Sequence, residues 1–164
     1  MKYIVTSSFG NDSIALIQYM HENHKGDFIV LYNDTGWARK DWPARVANAS
    51  KVCFEMGVTV HITKSIGMEA IVRKNKGWPM PASKMQWCTM HLKEGPSNDF
   101  YAKHDPDCES IIVTGRRRAE SQNRASLPKM QEESKKHGGR DVYNPLVNFD
   151  EAERDIYIKR FGLE

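Results

Sequence analysis

The chain has 164 residues, a formal net charge of +3, 40% hydrophobic residues and three cysteines. That length suits a single domain with one real core, and no run approaches the ~20 apolar residues of a membrane span. Cys53, Cys88 and Cys108 form no CxxC pair, which argues against a disulfide framework, a zinc site and an iron–sulfur cluster.

From its start the sequence reads as strand: Tyr3–Thr6 is a short buried strand with no leader-like run before it, so a cytoplasmic protein is expected. Asn11 or Asp12 can cap a helix running to about His24, with Ile14, Ile17 and Met20 on one face. After the turn Lys25-Gly26-Asp27, a second strand, Phe28–Tyr32, ends in Asn33-Asp34-Thr35-Gly36. A helix follows from about Asp41 to Met56, with Pro43 allowed in its first turn and Gly57 ending it. Val58–Ile62 reads as a third strand and Met68–Lys74 as a helix. Gly77–Thr89 holds two prolines and two tryptophans and is expected to be an ordered loop. Leu92–His104 reads as a helix bent or divided by Pro96, and Ser110–Thr114 as a fourth strand. Residues 116–140 are polar and basic and expected to be mobile; Glu151–Phe161 is a closing amphipathic helix.

The strands are continuous apolar runs alternating with helices. That pattern predicts an α/β fold: a single three-layer α/β/α domain over residues 1–164 with a mostly parallel twisted sheet. Ligands of such sheets sit beyond the carboxyl ends of the strands. "SSFGNDS", "NDTG" and "GRRRAES", which follow the first, second and fourth strands, are therefore expected along one edge.

Each segment offers chemistry. A helix start presents unpartnered N–H groups and the positive end of the helix dipole, and Gly10 lets an anion approach the backbone. Ser7, Ser8, Phe9, Gly10, Asn11 and Ser13 are thus candidate phosphate-binding positions, although the stretch is neither a Walker A loop nor GxGxxG. Asp12 is either a first-turn acid or a carboxylate that meets phosphate through Mg2+. Asp34, Thr35 and Gly36 can meet a ribose or base amine, or simply make a turn. Beyond Gly115, the guanidiniums of Arg116, Arg117, Arg118 and Arg124 suit phosphate, sulfate or carboxylate, and Glu120 can orient one of them. From Arg116 to Arg140 there are eight Lys/Arg against three Asp/Glu, a segment suited to a nucleic-acid or protein acceptor. Cys88 is either a nucleophile favoured by Lys93 or His91 or a small buried hydrophobe; Lys93 pairs more naturally with phosphate. Trp42, Trp78 and Trp87 fit a homodimer surface or a packed core equally well.

Taken together, "SSFGNDS", "NDTGW", "WCTMHLKEGP", "GRRRAESQNRA" and "YNPLVNFDEAERDIYIKRFGL" resemble, in order, the motifs of the phosphoadenylyl-sulfate (PAPS) reductase and ATP sulfurylase small-subunit family. That family lies within the PP-loop, adenine-nucleotide alpha-hydrolase superfamily. The resemblance implies that Ser8, Gly10 and Ser13 line a phosphate or sulfate, that Asp34 and Gly36 lie by the adenosine, and that Lys93, Arg116 and Arg124 contact phosphates or a second substrate. The implied ligands are ATP with Mg2+, or PAPS or APS. Three departures stand out. Asn11 replaces the lysine of ATP-using members, Phe149 replaces a tryptophan, and the sequence ends at Gly162-Leu163-Glu164 without the reductases' Glu-Cys-Gly tail. Small forms like this resemble those of phages.

Three readings follow. The first is an enzyme that splits ATP between the α and β phosphates and adenylates an acceptor, with Asp12, Arg116 and Arg124 as its catalytic groups. The second is a sulfonucleotide reductase relative using Cys88 or an external thiol. The third is a nucleotide-binding subunit without chemistry of its own.

Overall fold

A computed structural model describes residues 2–74 and 87–163; most of the loop expected at Gly77–Thr89, Trp78 included, lies outside the described residues. Six strands form one sheet: β1 Tyr3–Ser7, β2 Phe28–Asp34, β3 Val60–Lys64, β4 Ile111–Val113, β5 Met130–Ser134 and β6 Arg140–Tyr143. Their order is β3-β2-β1-β4-β6-β5, and every neighbouring pair is parallel except β5 with β6. The helices are α1 Asn11–Asn23, α2 Trp42–Glu55, α3 Met68–Lys74, α4 Trp87–Thr89, α5 Gly95–His104 and α6 Glu151–Phe161.

The central strands read as unbroken apolar runs because both of their faces are covered. Tyr3, Val5, Val30, Tyr32 and Val113 face one core, shared with Ile14, Ile17 and Met20 of α1, Ala49 and Cys53 of α2 and Phe161 of α6. Ile4, Leu31 and Ile112 face the other, with Phe100 and Tyr101 of α5. The expected three-layer α/β/α architecture is therefore present. No helix among the described residues is long and apolar enough to cross a membrane.

Local signals explain most element ends. Pro43 sits in the first turn of α2, and Gly57, at φ +74°, lies just past its end. Pro96 divides its segment as expected: Met90–Glu94 is a π-helical turn, and α5 begins at Gly95 with the proline in its first turn. Asp150 caps α6 and exchanges hydrogen bonds with Glu153. At α1 the cap is Gly10 rather than Asn11 or Asp12, and no side chain caps the helix. Both expected caps lie inside the first turn, and their side chains engage arginines instead.

The sequence reading placed no element between Gly115 and Glu151. The structure has 3-10 turns at Arg118–Glu120 and Gln122–Arg124, then the hairpin β5–β6. Strand β6 depends on a buried ion pair. Arg140 Nε donates to Asp105 Oδ2 at 2.6 Å, and both side chains are under a tenth exposed. Asp105 also accepts from the N–H groups of Glu109 and Ser110 at 3.1 and 3.3 Å. Burial alone would raise the Asp105 carboxyl, but the Arg140 bond and the two backbone donors outweigh it and hold it below the ordinary carboxylate value.

Removing one partner of a buried pair strands the other, so Asp105→Ala is expected to cost about 3–5 kcal/mol in urea unfolding. In the native protein the pair's contribution is full above the unfolded carboxylate pKa of ~4 and is lost as pH falls through the lower folded value. Stability measured from pH 6 down to pH 2 should therefore drop more steeply in the native protein than in Asp105→Ala.

Candidate active site

At the carboxyl end of β1 the chain must turn sharply into α1. Phe9 achieves this at φ +56° with its side chain fully buried, its ring 5.4 Å from that of Tyr32. The turn is braced from α2: Trp42 Nε1 donates to the Ser8 carbonyl at 3.2 Å and Arg45 Nε to the Phe9 carbonyl at 2.7 Å. Trp42 thus supports the loop rather than the main core. Ser8 and Ser13 face each other, with Ser8 N–H donating to Ser13 Oγ at 3.1 Å and the two hydroxyls 3.3 Å apart. The uncapped end of α1 lies beside this pair, as an anion site requires.

The segment leaving β4 closes on the same spot. A Cβ on Gly115 would sit 3.0 Å from the Asp12 carbonyl oxygen, so any larger residue would have to push this backbone contact apart. The three consecutive arginines that look alike in sequence then separate. Arg117, extended at φ −123° and ψ 146°, turns inward and donates from Nε to Asp12 Oδ1 at 2.7 Å. Arg154 of α6 reaches the same oxygen at 3.7 Å. Arg118 turns outward to the Leu127 carbonyl and Asn148 Oδ1, each at 2.9 Å. Arg116 faces a cleft and has no hydrogen-bond acceptor among the described residues. Its guanidinium pKa is lowered by burial and by Arg124, with Glu120 and Glu94 acting the other way.

The cleft has a volume of about 350 Å³. The serine loop forms one wall, and Lys93, Arg116 and Arg124 lie across from it. Asp12 and Gly115 also line it, and Arg124 is paired with Glu120. The structure thus brings together Ser7, Ser8, Asp12, Ser13, Lys93, Gly115, Arg116 and Arg124 from the sequence reading. It leaves others off the cleft lining. Phe9 is core, and Gly10 forms the turn. Asn11 is exposed and accepts from Arg45 at 3.1 Å. Asp34 and Thr35 accept from the N–H groups of Gly36 and Trp37 in a turn beyond β2. Cys88 is half-buried beside Thr89, which does line the cleft.

Other lining residues were not named as candidates: Thr6, Thr114 and Ser97, Asn33 at the head of the "NDTG" segment, and Lys136 and His137 within the basic stretch. Asn33 and Ser97, joined by a 2.8 Å hydrogen bond, stand 64 positions apart in the chain.

One Asp12 oxygen is engaged by the Arg117 guanidinium at 2.7 Å, and no group of three His, Cys, Asp or Glu is placed to hold a metal by itself among the described residues. The other Asp12 oxygen accepts no hydrogen bond among the described residues and is the one that could meet an Mg2+ carried in by phosphates.

Comparison with known proteins places the chain in a family and gives structures of similar fold. The family model of the phosphoadenosine phosphosulfate reductase domain matches residues 2–164. The fold is similar to that of a phosphoadenylyl-sulfate reductase from Candida auris in a phosphate complex, with a TM-score of 0.69 and 20% identity over 100% of this chain and 74% of that one. It is also similar to the U34-tRNA thiolase NcsA from Methanococcus maripaludis, with a TM-score of 0.68 and 16% identity over 100% of this chain and 58% of that one. An uncharacterised 37.8 kDa protein of Escherichia phage 186 is 30% identical over 89 residues, which is 51% of this chain and 26% of the phage protein.

The sorting of the arginines is testable. Asp12→Ala leaves the Arg117 guanidinium without its carboxylate and should lower unfolding free energy by about 1–3 kcal/mol. Arg118→Ala, at an exposed position, should change it by only about 0.5 kcal/mol in the same urea titration.

Proposed function

The chain belongs to the phosphoadenosine phosphosulfate reductase domain family, and from that premise we propose that its cleft binds an adenine nucleotide and transfers the adenylyl group of ATP to an acceptor. The observation that carries this reading is the half-buried Arg116 guanidinium, which lacks an acceptor among the described residues and lies across a cleft from the serine pair at the α1 N-terminus. Four cationic side chains line that cleft: Lys93, Arg116, Arg124 and Lys136. Three carboxylates, Asp12, Glu94 and Glu120, line it too, with Glu120 on Arg124 and Glu94 on Lys136, so the positive excess is small and centres on Arg116, which has no hydrogen-bonded carboxylate among the described residues.

In the proposed reaction the Ser8–Ser13 pair and the α1 N-terminus hold the α-phosphate. The acceptor attacks the α phosphorus, and the bond to the bridging oxygen breaks toward pyrophosphate. Arg116, Arg124 and Lys93 take up the charge that develops on the departing group. Asp12 acts indirectly, by fixing Arg117 and with it the segment that presents Arg116. Parts of the basic stretch 116–140 remain free to meet an acceptor. Arg117 and Arg140 are buried in ion pairs, while Arg118, Lys129 and Lys135 are exposed and off the cleft lining. We assign a nucleic-acid or protein acceptor to that exposed set.

A second reading, a sulfonucleotide reductase relative, is favoured by Asn11, which carries no charge toward the phosphates and is bonded to Arg45. It requires an external thiol, since Cys88 does not line the cleft.

The experiment is AMP and pyrophosphate release from ATP, run beside a thermal-shift series. ATP at ~100 times its dissociation constant should stabilise the protein by about 2.7 kcal/mol. Arg116→Ala should abolish most of that shift and slow product release by about 100-fold, without lowering the melting temperature of the unliganded protein. Larger shifts with adenosine 5′-phosphosulfate than with ATP, and no AMP formed, would select the second reading.

A further inference from the structure

We infer that the turn of the β5–β6 hairpin is a specificity wall. Lys136 and His137 receive the terminal oxyanion of the nucleotide, the sulfate or phosphoryl group farthest from the adenosine, and the buried Arg140–Asp105 pair is the positioning device that holds this wall at the cleft. The inference rests on the nucleotide reading above and extends it to the ligand's far end.

Its first support is placement. Lys136 and His137 line the same cleft as the serine loop and Arg116. They reach it on a turn whose backbone is pinned from below. The Lys136 carbonyl accepts from Asn98 Nδ2 of α5 at 3.4 Å, and the His137 carbonyl accepts from an Arg140 terminal nitrogen at 3.4 Å. The other Arg140 terminal nitrogen donates to the carbonyls of Tyr101 and Asp105 at the end of α5. Gly138, at φ +62°, passes so close that a Cβ there would lie 3.0 Å from Arg140. A buried arginine thus joins the last turn of α5 to the backbone carrying both cleft residues. That arrangement fixes direction as well as stability.

The second support is the charge around His137. Its Nδ1 is buried without a hydrogen-bond partner among the described residues and closed to a ligand, so the ring meets the cleft through its other edge. The ring is faced by Arg116 from the segment after β4, by Lys136 and Arg140 from its own hairpin, and by the Tyr101 ring of α5 at 6.3 Å. Burial first, then these three cations, push its pKa down to about 4. A neutral imidazole is therefore held among positive charges, and the Lys136 ammonium has one carboxylate at 3.7 Å, Glu94. A tetrahedral oxyanion seated here would meet Arg116 and Lys136, Arg140 being already paired with Asp105, and would give the lysine a closer partner. With the α-phosphate at the serine loop, this position is left to the sulfate of a phosphosulfate or to the outer phosphates of ATP.

The test compares ligands that differ in that group. Isothermal titration would measure AMP, adenosine 5′-phosphosulfate and ATP against the native protein and the variants Lys136→Ala, His137→Ala and Asp105→Asn. Lys136→Ala and His137→Ala should each weaken the phosphosulfate and ATP about tenfold, a change of ~1.4 kcal/mol, and leave AMP within about twofold. The ligand that loses more identifies whether the wall reads sulfate or phosphate. Asp105→Asn should lower the ratio of phosphosulfate to AMP affinity in the same way, whereas simple destabilisation would weaken all three ligands alike. Lys136 is 59% exposed, so its variant keeps the test valid if Asp105→Asn fails to fold. Equal losses for all three ligands, or none for any, would overturn the inference while leaving the nucleotide reading in place. If the native protein binds none of the three, the nucleotide reading fails and the inference with it.

Discussion

The structure turns on one close approach. The segment leaving β4 crosses the first turn of α1 so tightly that a Cβ at position 115 would press on the Asp12 backbone at 3.0 Å. Immediately beyond it, Arg117 is buried against Asp12, with Arg154 of α6 on the same carboxylate. Three separate parts of the chain thereby converge: the loop after β1, the exit of β4 and the closing helix. Without this convergence the serine pair and Arg116 would have no reason to share a cleft. A buried ion pair is a poor source of net stability, because desolvation offsets most of the attraction. Its effect here is geometric: it selects which way each of three adjacent arginines points.

That selection gives the cleft its electrostatic character. Arg117 has a carboxylate and Arg118 has carbonyl acceptors, whereas Arg116 is left half-buried and facing open space. Placing a desolvated guanidinium beside Arg124 is unfavourable in the empty protein and favourable once an anion arrives. The same logic operates at the hairpin, where a neutral histidine sits among cations above a second buried arginine–aspartate pair. Both sides of the cleft have a buried ion pair behind them, and in front each carries a cation paired with a glutamate, Arg124 with Glu120 and Lys136 with Glu94, with Arg116 between them.

The legible parts of the fold were those governed by local rules. β1, β2 and β4 are apolar runs of the right length between turn residues, and the helices expected at Met68–Lys74 and Glu151–Phe161 have those bounds as α3 and α6. β5 and β6 were not, because "MQEES" and "RDVY" carry charged residues that read as solvated loop. Arg140 points inward only because Asp105, 35 positions away, awaits it. The candidate site divides along the same line. Ser8, Ser13, Arg116 and Arg124 could be picked out because residues after parallel strands share an edge. The sorting of Arg116 from Arg117, and the entry of Asn33, Ser97, Lys136 and His137, depend on contacts between distant segments that no short motif encodes.

The central claim is that a nucleotide's phosphates lie between the serine pair and Arg116. A crystal structure of the protein grown with ATP, and a parallel one with adenosine 5′-phosphosulfate, tests it most directly. The account predicts the α-phosphate within hydrogen-bond distance of Ser8 and Ser13, with the Arg116 guanidinium on an anionic group of the same molecule. A nucleotide bound elsewhere, or one whose phosphates point away from Arg116 into solvent, would contradict it.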